Sequence, residues 1–442
     1  NICFCSSNLK KQLIHKTGVK EINIRAVLCC PVSFNDVQKE ATLRAAQYAG
    51  IDVVKLIPEP TAAFYFYGIQ KHAFNIENDI TKKDTKVPTR YPKMPTEINE
   101  GIFLTFDFGG GTLDTTVAQL KNSKITFLAV NGDPKLGGID IDLKLTEIVK
   151  MRWKKEDENR FNTVFFVGKK LTPSNEKILK RREYRLRKLV EKAKIALSIA
   201  QQSVVDLSEF YCGVDIDDDV KTPNIAISKE DIEIGCKNIF QRCLNLVAQT
   251  LLESKVPKNK LTKILLVGGS SQMPYVQTLL EKEYGKIVLK DCDCNVVVAE
   301  GAALYCRNMA LHGETNVNEI TCNEIEMSGV DSTNKKVVVP IIEKGTKIPF
   351  SNTFPVFPIR NDVIVELYEN KKKIGVFVID KIQKKTKNEL FECEVKINTF
   401  GILEVKCIGE NRCAVNVDRE RIQTESEDMK KKKDYIESFL SC

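Results

Sequence analysis

Nine residues, "FDFGGGTLD" (106–114), set two carboxylates and a hydroxyl around three consecutive glycines. Gly109, Gly110 and Gly111 open backbone conformations closed to other residues and remove the Cβ atoms that would hold a ligand away. Successive N–H groups in such a turn converge on an anion, and Thr112 adds a hydroxyl donor. Asp107 and Asp114 place negative charge beside that anion seat, a repulsive arrangement unless a cation lies between. A Mg²⁺ with its waters resolves the conflict. A glycine-rich hairpin with an ordinary turn is the plainer alternative; the flanking aspartates and the threonine weigh toward phosphate and metal.

Two further turns repeat the pattern. "GDPKLGGID" (132–140) puts Gly137 and Gly138 before Asp140, and "VGGSSQMP" (267–274) puts Gly268 and Gly269 between a strand and a helix. Any tight turn needs glycine, so each is weak alone, and the three weigh together. "PEPTAA" (58–63) pins Glu59 between two prolines, which makes its carboxylate either a turn element or a positioned catalytic group. In "LRKLVEKAKIALSIA" (186–200), Glu191, Lys194 and Ser198 fall at i, i+3 and i+7, opposite Leu186, Leu189, Val190, Ala193 and Leu197. That polar stripe either holds a ribose and base or is a solvent-facing row with a helical ion pair.

The elements around these residues alternate between strand and helix, the sign of an α/β sheet. "INIRAVLCCPVSF" (22–34) reads as a strand running into a proline turn. A helix capped by Asn35, with Gln38 completing a capping box, stops at Gly50. A strand over 51–57 and a helix after Pro60 follow. Residues 71–100 lack a sustained period and read as a surface insertion. Runs at 102–108, 113–120 and 124–130 form an antiparallel meander. Helices are expected over 186–200, over 227–252 and from Pro274, with a buried strand at 263–269. A polar connector spans 312–325. Period-two runs from 326 to 418 then indicate an antiparallel β domain, and 419–442 reads as a short charged helix.

At 442 residues the chain has room for two or three cores, and 43% hydrophobic with 29% charged residues is ordinary for a globular protein. The formal charge of +8, from 67 basic and 59 acidic residues, reads mostly as a mixed, solvated surface. The run Lys430–Lys433 reads as a solvated face, not a nucleic-acid patch. Fifteen cysteines, several on apolar faces, suit small buried thiols of a reducing compartment. Cys292 and Cys294 lack a second pair at zinc spacing. No apolar run reaches membrane-spanning length.

The quoted motifs, with "AVLCCPVSFNDVQKEATLRAAQYAGIDVVKLIPEPTAA", "EKAKIALS" and "ILLVGGSSQMPYVQTLL", stand in the order and context of the 70-kDa heat-shock protein (Hsp70) chaperones. "GTKIPFSNTF" and "INTFGILEVKC" resemble that family's substrate-binding sandwich. The resemblance spans nearly the whole chain. It implies an actin-like α/β ATPase domain of two lobes, the first incomplete, over 1–311, then a linker, a peptide-binding β-sandwich and a truncated helical lid. By the same resemblance, Gly109–Thr112 would hold the β- and γ-phosphates of ATP or ADP. Asp107 would bind Mg²⁺ through water, Glu59 would polarise groups at the same centre, and Gly137 and Gly138 would lie near the phosphates. Glu191, Lys194 and Ser198 would contact adenosine above Gly268, Gly269 and Ser270. Unfolded or nascent polypeptides, J-domain co-chaperones and nucleotide exchange factors are the implied partners, in the cytoplasm, with no direct nucleic acid and no membrane.

Departures accompany the likeness. The family's first phosphate hairpin and catalytic lysine belong upstream of Asn1, so the chain as given is expected to hydrolyse ATP poorly. Ile195 and Gln272 stand where the family places adenine-flanking arginines, and Asn295 where it places an acid. The leucine-rich linker is replaced by "ETNVNEI", which brings interdomain coupling into question. A non-catalytic scaffold or ribosome-associated co-chaperone is the rival expectation.

Overall fold

The structure, a computed structural model, describes residues 24–73, 100–122, 124–166, 168, 170–211, 224–289, 293–313, 317–330, 335–356, 363–379, 391–408 and 414–416. Most of the 71–100 insertion and all of the 419–442 helix lie outside these residues.

β1 (Ile24–Cys30) and β2 (Ile51–Pro58) pair in parallel, joined by α1 (Asp36–Tyr48). The capping box at α1 is formed as the sequence indicates: the Asn35 side chain accepts from the Gln38 amide, and Gln38 reciprocates. α2 (Glu59–Ala73) follows β2 directly and begins at Glu59, two positions before the start expected after Pro60. Pro60 sits in its first turn, where no intrahelical N–H is required.

A six-stranded mixed sheet organises the middle of the chain. β3 (Gly101–Phe108), β4 (Leu113–Lys121) and β5 (Lys124–Asp133) form the expected antiparallel meander. β6 (Gln202–Asp206) and β7 (Asn224–Ser228) make a separate antiparallel pair. β8 (Lys263–Val267) lies parallel to β3, β9 (Val288–Leu289) parallel to β8, and β10 (Val317–Asn318) parallel to β5, giving the order β10-β5-β4-β3-β8-β9.

Both faces of this sheet are covered, so its central strands are nearly continuous apolar runs. On one face Phe106, Phe108, Leu113 and Val117 pack with α3 (Gly138–Glu156), α5 (Pro173–Ala196) and α7 (Lys237–Ser254). Short α4 (Glu158–Val164) and α6 (Lys229–Gly235) complete that layer. On the other face Phe103, Phe127 and Leu265 meet α2 and α9 (Val297–His312). Gly301 allows α9 to sit on α2, since a Cβ there would lie 1.9 Å from the Ala62 carbonyl oxygen. α8 (Pro274–Tyr284) opens at its proline, as expected.

Two helices differ from the sequence reading. The helix around 186–200 starts at Pro173 and stops at Ala196, leaving Ser198 in a turn. The expected helix over 227–252 is two, α6 and α7, interrupted at Gly235–Cys236. Buried Ile232, Cys236, Phe240 and Cys243 keep their spacing across the interruption, which hides it from a periodicity argument. Gly235, a poor helix former, sits where the first helix ends.

The C-terminal part is two four-stranded antiparallel sheets. One runs β12 (Lys336–Ile342), β11 (Ile325–Val330), β14 (Val363–Glu369), β15 (Lys372–Ile379). The other runs β13 (Phe350–Val356), β16 (Phe391–Ile397), β17 (Leu403–Ile408), β18 (Ala414–Asn416). Ile325, Ile342 and Leu367 of the first bury against Val395, Leu403 and Val405 of the second. The connector is engaged at both ends: β10 extends the large sheet, while Ile348 N–H donates to the Glu319 carbonyl and Thr321 N–H to that of Thr346. Further ties cross the seam. Lys39 Nζ donates to the Gly401 carbonyl at 2.8 Å, Leu403 N–H to Asp36 Oδ2 at 3.1 Å, and Lys344 pairs with Glu253 at 2.8 Å.

Candidate functional site

Strand register brings the two aspartates of the glycine hairpin together. Asp107 on β3 stands directly opposite Asp114 on β4, and like charges facing each other across a sheet repel. Glu59, at the first position of α2, lies close enough to Asp107 for the two carboxyls to act on each other. Three carboxyl groups from three elements therefore meet in one buried place. Burial, with Glu59 and Asp114 alongside, holds Asp107 well above the usual carboxylate range. Asp114 is pushed up to about 7 by burial and by Glu59, against hydrogen bonds given by Val32 and Ser33. Burial also raises Glu59, with nearby Asp107 acting against it.

Neighbouring atoms leave room for these acids without neutralising them. Gly132 lies across β4 from Asp114, and a Cβ there would come within 2.2 Å of Asp114 Oδ1. Gly268, at φ +81°, lets the turn after β8 pass so close that a Cβ would meet Asp107 Oδ1 at 2.8 Å and the Phe108 carbonyl at 2.6 Å. Val32 N–H donates to Asp114 Oδ2 at 3.3 Å. Asp107 Oδ2 and Asp114 Oδ1 are buried without a hydrogen-bond partner, a costly state in a low-dielectric site. The donor set suits a hard cation. Among the described residues no three His, Cys, Asp or Glu side chains are grouped to ligate a metal directly, so the fit is to a hydrated ion.

The hairpin above them points outward. Gly109 N–H closes the turn on the Thr112 carbonyl at 3.0 Å, while Gly110 and Gly111 are exposed and have open space where a side chain would stand. Their N–H groups have no hydrogen-bond partner among the described residues. Such amides are what an anion requires.

The other two glycine turns close on this hairpin from behind. At the start of α3, Gly138 N–H donates to the Gly109 carbonyl at 3.0 Å and Ile139 N–H to that of Gly110 at 2.8 Å. Gly137 N–H is taken by Asp140 Oδ2 at 2.7 Å. A Cβ on Gly137 would strike the Gly110–Gly111 backbone at 2.4–2.5 Å. Ser270 Oγ donates to the Gly109 carbonyl at 2.9 Å. The amides of Gly138 and Ile139 thus brace the hairpin, and that of Gly137 is held by Asp140.

The polar stripe divides. Lys194 is buried, 2.6 Å from Asp142 Oδ1, and donates to the Gly138 carbonyl at 3.3 Å. It sits behind the hairpin and turns away from solvent. Glu191 is partly exposed and takes a hydrogen bond from Lys188 at 2.6 Å, which holds its carboxyl below the usual range. Ile195 is 60% exposed on the same end of α5. Gln272 donates to Asp293 at 3.3 Å, and Asn295 lies against Gly269.

Sequence reasoning missed four contributors. Ser271 is fully buried and bonds the carbonyls of Val267 and Phe106 while accepting from Phe108 N–H, fixing the β8 turn to the strand that carries Asp107. Val32 and Ser33 grip Asp114, foreshadowed by nothing but the proline turn after β1. Asp142 lies two residues past "GDPKLGGID", and nothing in its spacing named Lys194 as its partner.

The protein is thus of a class that joins a covered mixed sheet to paired antiparallel sheets and sets a glycine hairpin over buried acids. A family model described as "Hsp70 protein" matches residues 7–439. The chain belongs to the Hsp70 family. It is 30% identical over 414 residues to "Chaperone protein DnaK" of Mycoplasmoides gallisepticum, covering 90% of this chain and 62% of that protein. It is 27% identical over 420 residues to "Heat shock 70 kDa protein" of Emericella nidulans, covering 90% and 58%. For "Chaperone protein DnaK" of Carsonella ruddii the figures are 29% over 354 residues, 78% and 50%. The chain thus spans roughly half to three fifths of the length of these relatives. No helix among the described residues is long and apolar enough to cross a membrane.

Proposed function

We propose that this chain is a nucleotide-responsive Hsp70-type chaperone, its actin-like α/β part binding ATP or ADP with Mg²⁺ and its β-sandwich binding unfolded polypeptide segments. One observation carries the reading: the exposed amides of Gly110 and Gly111 stand over buried Asp107 and Asp114 and half-buried Glu59, and one oxygen of each aspartate lacks a partner. The hairpin amides and Thr112 would take the terminal phosphates, and Asp107 would hold hydrated Mg²⁺. A bound Mg²⁺ supplies the positive charge that offsets phosphate against carboxylate. Glu59 and Asp114 keep a proton or a cation close to Asp107. The contacts from Lys39, Asp36 and Lys344 across the seam give nucleotide occupancy a route to the sandwich, with J-domain proteins and exchange factors as partners.

The test is a thermal shift of the full chain with ATP and Mg²⁺. We expect a rise in the wild type that Asp107→Asn removes. An equal rise in both would overturn the assignment. A specific observation supports the second reading, a scaffold with little turnover: Lys194 is committed to Asp142, and Ile195 presents no cation to a base. Steady-state turnover at ordinary chaperone rates would exclude it.

A further inference from the structure

A cavity of about 70 Å³ lies at the seam, walled by the end of β1, the start of α2, the large sheet, the connector and the loop before β17. Phe127, Val130, Ile348 and Phe400 give it apolar sides. Of the polar side chains that also line it, three contribute a buried oxygen with no properly formed hydrogen bond: Thr61 Oγ1, Thr116 Oγ1 and Glu319 Oε1. Thr61 and Thr116 are 0% exposed and Glu319 is 7% exposed. Burial holds the Glu319 carboxyl above its usual range, against nearby Lys55 and the Thr61 hydroxyl, and the geometry leaves Thr61 Oγ1 and Glu319 Oε1 without a formed hydrogen bond.

Charge around the cavity is lopsided. Asp36, Glu319 and Glu369 line it against Lys39 alone. Asp36 is bonded by Leu403 N–H, Glu369 by Asn323, and Lys39 by the Gly401 carbonyl. Lys55, beyond the lining, stands 4.0 Å from Glu319 Oε2 and gives its hydrogen bond to Tyr305 at 2.7 Å. The free carboxylate oxygen and the two hydroxyls therefore await a donor.

We propose that this cavity is a binding site for a small primary alkylammonium, its head on Glu319, Thr61 and Thr116 and its alkyl chain along Phe127, Val130 and Ile348. At roughly 10–15 Å³ per water-sized group, the space takes about five non-hydrogen atoms. A buried carboxylate with an open acceptor selects a cationic donor over a neutral one. Because the connector and the sandwich both contribute walls, the ligand binds the docked arrangement alone and favours it by mass action. The site is separate from the glycine hairpin and stands whether or not nucleotide binds there.

The experiment titrates n-butylamine, with n-butanol as the uncharged match, into the full chain by protein-observed NMR or calorimetry. We expect saturable butylammonium binding, at least tenfold weaker binding of butanol, and at least a tenfold loss in Glu319→Gln. Val130→Trp, which fills the cavity, should abolish binding. If that variant does not fold, Glu319→Gln decides alone. Equal binding by wild type and Glu319→Gln would overturn the proposal. So would a crystal structure grown in butylamine with ordered water alone on the three oxygens.

Discussion

Two sets of buried aspartates lie within the same part of the molecule and have been treated oppositely. Behind the hairpin, Asp142 has Lys194 at 2.6 Å, with side chains 5% and 10% exposed. In front of it, Asp107 and Asp114 face each other and Glu59, all three held above the usual carboxylate range by burial, with a backbone amide on Asp114 where a cation would be expected. Burying an ion costs several kcal/mol in effective terms, so each carboxylate must be compensated somewhere. The first is compensated in part by Lys194, although burial still holds the Asp142 carboxyl above its usual range. The second has no such cation among the described residues, the arrangement that the proposed nucleotide and Mg²⁺ site calls for.

The sharpest way to break the comparison is to delete one carboxylate from each side. Asp142→Ala strands a buried ammonium and should cost about 3–5 kcal/mol in denaturant unfolding. Lys194 and Asp142 meet as a charge pair without good hydrogen-bond alignment, since Asp142 Oδ1 has no formed hydrogen bond. The double variant Asp142→Leu with Lys194→Met should therefore recover most of that loss. Failure to recover would show that Lys194's bond to the Gly138 carbonyl, not the pair, is what matters.

Asp114→Asn should have the opposite sign. With its pKa raised to about 7 from 3.8, Asp114 binds a proton more readily in the folded chain than in the unfolded one. The folded state is thus penalised progressively as pH climbs from about 4 toward 7, and fully above that. Ligand-free chain should melt lower at pH 8 than at pH 6. Asn in its place keeps an acceptor for Val32 and Ser33 and removes a charge, so stability at pH 8 should rise by about 1–2 kcal/mol and the pH slope should flatten. Loss of stability in this variant would mean the acids are not in conflict.

How far these contrasts were legible follows from where each partner lies. The hairpin acids were readable because only six residues lie between them and a tight turn forces them opposite. The three glycine turns were readable as turns, but their stacking was not: the close approach of Gly137 to Gly110 joins segments that share no local pattern. The Lys194–Asp142 pair joins two helices, so spacing on α5 alone pointed Lys194 outward with Glu191. Val317 and Asn318 sit in a polar stretch with no strand signature, and tertiary context alone, the open edge of β5, makes them a strand. The sandwich, in contrast, announced itself, because a sheet with one face buried must alternate.

The smallest effect discriminates most finely between the readings of the polar stripe. Glu191 is partly exposed, and its partner Lys188 is a surface residue. Exposed helical pairs contribute little to stability, so Glu191→Gln should leave the thermal midpoint of the ligand-free chain unchanged. If Glu191 belongs to a solvent-facing row, the nucleotide-induced shift is unchanged as well. If it accepts from a ribose hydroxyl, that shift shrinks several-fold, because a charge-assisted bond is replaced by a neutral one. Running the variant with ATP and with inorganic triphosphate separates the outcomes: a ribose contact weakens the response to ATP alone, whereas a general electrostatic change moves both.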